Sequence, residues 1–206
     1  MDLFQQQASN RRRTWLVMFV FVAFLFLLGY GFDLLYLETT VPVVGLAALV
    51  GASIAASVSY VKGDRAVLAS AGAIPIAELD VPSVPEADRL KYRQFANAAE
   101  EMVIASGLPR PALFVIPDPD PNAFATGRDP DRASIAVTKG LLDRLTREQL
   151  QAVVAHELSH VRNFDIRLMT VVAALVGAVA LLADFLRRGL SWGGGGSRKS
   201  RDSRGG

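Results

Sequence analysis

The 206-residue chain contains only two histidines, and they stand four apart in His156-Glu157-Leu158-Ser159-His160. The surrounding run, residues 147–162, has no glycine or proline and carries apolar residues at helical spacing. On a helix, side chains four apart lie one above the other, so two imidazoles so placed can grip a single metal ion. Glu157, one step round the helix, can reach a water held on that ion and take its proton. The chemistry this suits is metal-assisted attack of water on a carbonyl. There is no cysteine, so a thiolate site and a disulfide framework are both excluded, and the ligands must be histidine and carboxylate.

A helix that presents such a pair must bury its other side. Projected at 3.6 residues per turn, Gln149, Ala152, His156, His160 and Asn163 form one narrow stripe, with Leu150, Val154, Leu158 and Val161 opposite. Two surface histidines matched by chance are the competing explanation. The polar stripe and the apolar approach over residues 153–155 argue against it. Thr146 is placed to cap the helix.

Upstream lie the pieces of a small α+β unit. Residues 85–107 read as an amphipathic helix with Leu90, Phe95, Ala98, Met102 and Ile104 on one side and Glu100 and Glu101 on a solvated face, stopped by Gly107. Residues 113–116, 123–126 and 134–138 read as short strands, and residues 139–145 as a short helix. Asp118, Asp120, Asn122 and Asp129 share the offsets of a calcium loop. Ala123 stands where that loop needs glycine, however, and prolines interrupt it, so calcium is not expected. Residues 72–85 read as a proline-punctuated linker with one short extended piece.

The amino-terminal third is of another kind. The hydrophobic fraction of 51% is unevenly spread. Residues 14–32 carry no charge, with Trp15 and Tyr30 near the ends, and a second apolar run, residues 42–61, is rich in glycine and alanine. Both are long enough to cross a bilayer, and small residues let them pack as a hairpin. A cleaved signal peptide would be shorter and followed by a small-residue cleavage site. Arg11-Arg12-Arg13, Lys62 and Arg65 flank the pair, while the loop between holds Asp33 and Glu38. The positive-inside rule then places the amino terminus and the metal site in the cytoplasm. The expected organisation is a basic amino terminus (1–13), a transmembrane hairpin (14–61) and a cytoplasmic catalytic domain (62–165). A third membrane segment (166–186), spanning or re-entrant, and a flexible glycine- and arginine-rich tail (187–206) follow. Net charge is +2. The six basic residues of the tail have no aromatic partner beyond Trp192, so nucleic-acid binding is not expected.

The chain resembles the HtpX family of membrane-embedded zinc metalloproteases, relatives of the CAAX prenyl proteases. The likeness rests on the amino-terminal hairpin, Asn122-Ala-Phe-Ala-Thr-Gly127, Ile135-Ala-Val-Thr138 before Gly140-Leu-Leu142, and Ala155-His-Glu-Leu-Ser-His160 with Asn163 and Asp165. The resemblance implies a zincin-like α+β catalytic domain in the membrane of the cell, with the site facing the cytoplasm. It implies one zinc ion per chain on His156 and His160, and Glu157 as general base to zinc-activated water. It further implies that Asn122, Ala123, Phe124, Ala125 and Thr126 line the substrate cleft as a sheet edge, and that the substrates are damaged or misfolded membrane proteins. Asn163 and Asp165 are expected in supporting roles. On a continuous helix Asp165 would fall with the buried face, away from the histidines. The family's third ligand is a later glutamate, and no glutamate follows Glu157. The chain therefore reads as the front part of such a protease. Two alternatives stay open: an inactive fragment or membrane adaptor, and a structural membrane protein with a chance motif. Neither substrate identity nor oligomeric state is written in the sequence.

Overall fold

The computed structural model describes residues 3–79 and 82–193. Two long helices come first, α1 (Leu3–Leu35) and α2 (Val43–Ser70). Next are β1 (Ile74–Pro75), a single turn α3 (Ile76–Leu79), α4 (Glu86–Ser106), β2 (Ala112–Ile116) and β3 (Ala123–Gly127). After a 3-10 turn at Pro130–Arg132 come β4 (Ala133–Thr138), α5 (Lys139–Arg144), α6 (Arg147–Asn163) and α7 (Asp165–Gly193). The architecture is α+β, as the sequence predicts, and mostly helical. Helix α7 leaves one compact unit, Met1–Leu175, and enters a second, Val176–Gly206.

The sheet order is β1-β2-β4-β3. β2 and β4 run parallel, while β1 on β2 and β3 on β4 are antiparallel. Every residue of β4 is buried, as expected of a central strand covered on both faces. Alternation sends Leu113, Val115, Ile135 and Val137 to one face, where they meet Phe95 and Ala98 of α4 and Leu150, Val154 and Leu158 of α6. Ile116 and Ala136 point to the other face, against Leu68 near the end of α2. Each such side chain, fully buried, contributes ~1.5–3 kcal/mol. Among the described residues β3 pairs with β4 alone, so no described strand lies on its outer edge.

α1 and α2 are the two described helices long and apolar enough to cross a membrane; the pair α6 and α7 adds a third only if counted as one bent span. The hairpin closes tightly: a Cβ on Gly45 would stand 3.2 Å from the Tyr30 backbone nitrogen and Cβ, and 3.3 Å from the Phe26 ring. Asp33, which the sequence places in the acidic connection, lies in the last turns of α1 and is fully buried. Its two carboxylate oxygens accept the backbone N–H groups of Val44 and Gly45, satisfying orphan donors at the start of α2.

Local expectations are met in several places. Gly107 ends α4 in the left-handed region at φ 69°. Residues 72–85 hold the short strand β1 and also the turn α3. One reading needs correction, and two helices run past the expected bounds. Glu101 is not simply solvated: it clasps α6 by accepting from Arg147 and Gln151. α2 continues to Ser70, well past the residue at which the cytoplasmic domain was expected to begin. α7 runs to Gly193, into the expected tail, and residues 194–206 with their share of the basic cluster lie outside the described residues.

Candidate metal centre

Helix α6 is built as its sequence demands. Thr146 accepts from the Gln149 N–H and Gln149 returns a bond to the Thr146 N–H, a capping box worth about 1 kcal/mol. Leu150, Val154, Leu158 and Val161 are buried, which leaves Gln149, Ala152 and His156 exposed and His160 half-buried. Glu157, between the two faces, is 8% exposed.

The histidines converge. His156 Nε2 and His160 Nε2 stand 3.2 Å apart, with the rings edge-on at 88°. Two nitrogens each 2.0–2.1 Å from one tetrahedral ion would be about 3.4 Å apart, so the pair fits zinc without moving the backbone. On its other side His160 Nδ1 lies 2.8 Å from Asp165 Oδ2. A proton on Nδ1 donated to that carboxylate leaves Nε2 with a bare lone pair, the tautomer a ligand needs.

The last contact overturns the expected placement of Asp165. α6 stops at Asn163, Phe164 adopts the left-handed region at φ 59°, and the next helix sets off at 88° to the first. The bend brings Asp165 back over the last turn of α6, onto the histidine side. The break is tied from outside: Gln7 Nε2 donates to the Arg162 carbonyl and Asn10 Nδ2 to that of Asn163, both from the first turns of α1. These bonds satisfy carbonyls that a helix end leaves without partners. Asn163 therefore serves through its backbone.

The histidines and Glu157 line a cleft of about 510 Å³ together with residues 123–126. A second recess, of about 450 Å³, shares Ala123, His156 and Glu157 and continues past Pro121 and Asn122. The free edge of β3 thus runs beside the histidine pair from one recess to the other. Asn122 is pinned at the far end, its N–H to Thr138 Oγ1 and its carbonyl to the Thr138 N–H. Thr126 is buried and its hydroxyl is bonded to that of Thr170 at 2.7 Å, so its side chain braces the strand against α7. Gly140 keeps the neighbouring loop close, since a Cβ there would collide with the Pro119 carbonyl.

Sequence reasoning missed the far wall. Val67 and Ser70 of α2, Ala71 just beyond it, and Met169 and Thr170 of α7 also line the cleft. Nothing in their spacing marks them, because only the packing of α2 across the sheet brings them there. Among the described residues no cluster of three or more His, Asp or Glu side chains has metal-holding geometry, and none forms at Asp118, Asp120 and Asp129.

Comparison with known proteins settles the affiliation. Residues 89–193 match the model of peptidase family M48, a stretch that runs from α4 through the sheet and the histidine helix to the end of α7. The chain belongs to peptidase family M48. It is similar to the protease HtpX homolog of Caldanaerobacter subterraneus subsp. tengcongensis, 41% identical over 197 residues, which cover 96% of this chain and 62% of that protein. The protease HtpX homolog of Lactobacillus helveticus is 39% identical over 203 residues, covering 98% and 63%. That of Streptococcus thermophilus is 37% identical over 191 residues, covering 93% and 60%. The chain thus spans about three fifths of the length of the curated relatives it matches. The resemblance carried by the motifs is borne out over nearly the whole chain.

Proposed function

We propose that this M48 chain carries the histidine helix and substrate cleft of a membrane-bound zinc endopeptidase acting on membrane proteins at the cytoplasmic face. The observation that carries the reading is the approach of His156 Nε2 and His160 Nε2 to 3.2 Å beside Glu157 on the wall of a cleft. One zinc ion on those nitrogens would supply Lewis-acid polarisation of a peptide carbonyl and acidify water near neutrality. The rest falls to the chain's own groups. Glu157 accepts the proton of the attacking water and passes it to the departing amine nitrogen. The edge of β3 orients an extended polypeptide as an added strand, its backbone N–H and C=O groups meeting those of residues 123–126. Asp165 holds the His160 ring and its tautomer.

A third protein ligand is the usual complement of a catalytic zinc. Asp165 is not that ligand in this reading, because its Oδ2 is engaged on the opposite nitrogen of His160. A later glutamate, as in the resembling family, is the candidate. The cytoplasmic orientation rests on Arg11, Arg12, Arg13, Lys62 and Arg65. Asp33, spent on capping α2, lends it little. The second reading is an adaptor that keeps the fold without turnover.

Zinc titration of the detergent-solubilised chain tests the reading. The 206-residue chain should take up zinc weakly, lose it on His156→Ala, and show no turnover. A longer form bearing the later glutamate should bind tightly and cleave an unfolded protein substrate. Equal zinc uptake by the alanine variant would refute the site, and tight zinc without cleavage in the longer form would favour the adaptor.

A further inference from the structure

Three guanidinium groups lie around the rings of Phe164 and Tyr60, none of them lining the cleft that holds the histidine pair. Arg11 sits over the Phe164 ring at 4.7 Å, and Arg167 faces the same ring at 5.3 Å and Tyr60 at 5.7 Å. Arg128 approaches Tyr60 at 5.8 Å. The three come from α1, from the first turn of α7 and from the turn after β3. The aromatic rings hold them, as ring faces attract cations. Only Arg128 has a carboxylate beside it, Asp129 at 3.2 Å. Arg11 and Arg167 have no ion pair among the described residues, and Asp165, the nearest acid in sequence to Arg167, is turned to His160. Two of them touch directly, Arg167 Nε donating to the Arg128 carbonyl, and the excess of positive charge around the two rings would be relieved by an anion.

The level of the group along the hairpin indicates which anion. Trp15, one turn beyond Arg11, stacks on Tyr60 at 5.6 Å, and these two rings mark the edge of the apolar stretches as interfacial aromatics do. Arg11 lies just before the first stretch begins, and Lys62 follows the second. We propose that Arg11, Arg128 and Arg167 form a binding site for the phosphate of an anionic phospholipid headgroup, at the membrane face from which the catalytic unit projects. Arg167 Nε is given to the Arg128 carbonyl and Arg128 Nε to Asp129, which leaves the terminal N–H groups of these two and the guanidinium of Arg11 to donate to phosphate oxygens. The site ties lipid to the Phe164 bend that sets Asp165 on His160. It rests on the reading of α1 and α2 as a membrane hairpin, not on peptidase activity.

The test uses the whole chain. Carbonate extraction of membranes comes first: release of the chain would defeat the hairpin reading, and the lipid site with it. The retained protein is then solubilised in mild detergent with equal phosphatidylglycerol and phosphatidylcholine and examined by native mass spectrometry. Phosphatidylglycerol should be held in roughly tenfold preference, and excess glycerophosphate should not displace it. Arg11→Gln, at an exposed position, should lower the preference several-fold, and the Arg11→Gln/Arg167→Gln pair should abolish it. The control pair Arg12→Gln/Arg13→Gln removes equal charge from a different recess of α1, beside Gln5 and Leu16, and should leave the preference standing. The site is refuted if phosphatidylcholine binds equally, if the control pair costs as much, or if glycerophosphate competes one for one.

Discussion

Asp165 Oδ2 rests 2.8 Å from His160 Nδ1 across the bend between α6 and α7. The carboxylate is thereby placed to orient one of the two imidazoles and to accept a proton-bearing Nδ1, from a position a straight helix would have put out of reach. Groups of this kind typically contribute 10–100-fold to metal affinity. Asp165→Asn can still accept through its amide oxygen and should cost less than Asp165→Ala, which should weaken zinc binding by at least about tenfold. Competition against a chromophoric chelator reads both. A complete loss of zinc in the asparagine variant would make Asp165 a ligand instead.

Glu157 and the histidines should separate cleanly by role. Glu157→Gln keeps shape and hydrogen-bonding capacity but cannot take a proton, so zinc uptake should stay within about twofold while proteolysis in a full-length form falls by at least ~100-fold. His156→Ala should lose both. Cleavage by the glutamine variant at the wild-type rate contradicts the general-base role.

Phe164 is a bulky residue in the left-handed region at φ 59°. Its ring is in contact with both Arg11 and Arg167, which is what the strain secures. Phe164→Ala removes the ring and keeps the backbone strain, while Phe164→Gly removes both. The glycine variant should therefore be more stable than the alanine variant by ~1 kcal/mol. Thermal melts of the two in one detergent decide it; an alanine variant at least as stable as the glycine one would mean that the strain is not there.

Ser83 is exposed in the connection between α3 and α4. In the proposed orientation a Ser83→Cys chain, otherwise free of cysteine, should resist a membrane-impermeant thiol reagent in intact cells and react after lysis. Ready labelling of intact cells would put the metal site on the outer side.

The α4–α5 contact is an ionic cluster. A hydrogen bond from Lys91 and another from Lys139 hold the Asp143 carboxyl below the usual carboxylate range. Bonds to Asp88 and Asp143 raise the Lys139 ammonium above the usual lysine range. Asp143 thus stabilises the fold at neutral pH and loses that contribution as pH falls through its depressed value. Lys139 keeps its contribution up to the ordinary lysine value and loses it as pH rises through the raised one. With Asp143 40% exposed, the contribution is screened to about 0.5 kcal/mol or less. Asp143→Asn should flatten the acid limb of Tm against pH below about pH 4 and leave the neutral value almost unchanged. An unchanged acid limb would show that the cluster is not coupled to folding.

The sequence alone determined what is local. The spacing of His156 and His160, the apolar stripe opposite them, the Thr146 cap and the Gly107 stop are all set by residues within a few turns of one another, so periodicity finds them. The short apolar runs at residues 113–116 and 134–138 likewise read as strands. The tertiary structure decided everything that depends on where one segment meets another. Asp165 reaches His160 only because the helix breaks at Phe164, and the amide groups of Gln7 and Asn10, more than 150 residues away, satisfy the carbonyls freed there. No helical projection contains that break, since Phe164 carries no glycine or proline signal and its strain is offset by contacts from α1 and α7. The far wall of the cleft, from Val67 to Ala71, is equally silent in sequence. The terminal turns of α2 look like any membrane-helix end until the sheet packs against Leu68. Periodicity records which face of a segment is apolar. Which partner covers that face is decided by long-range packing, and with it the shape of the cleft.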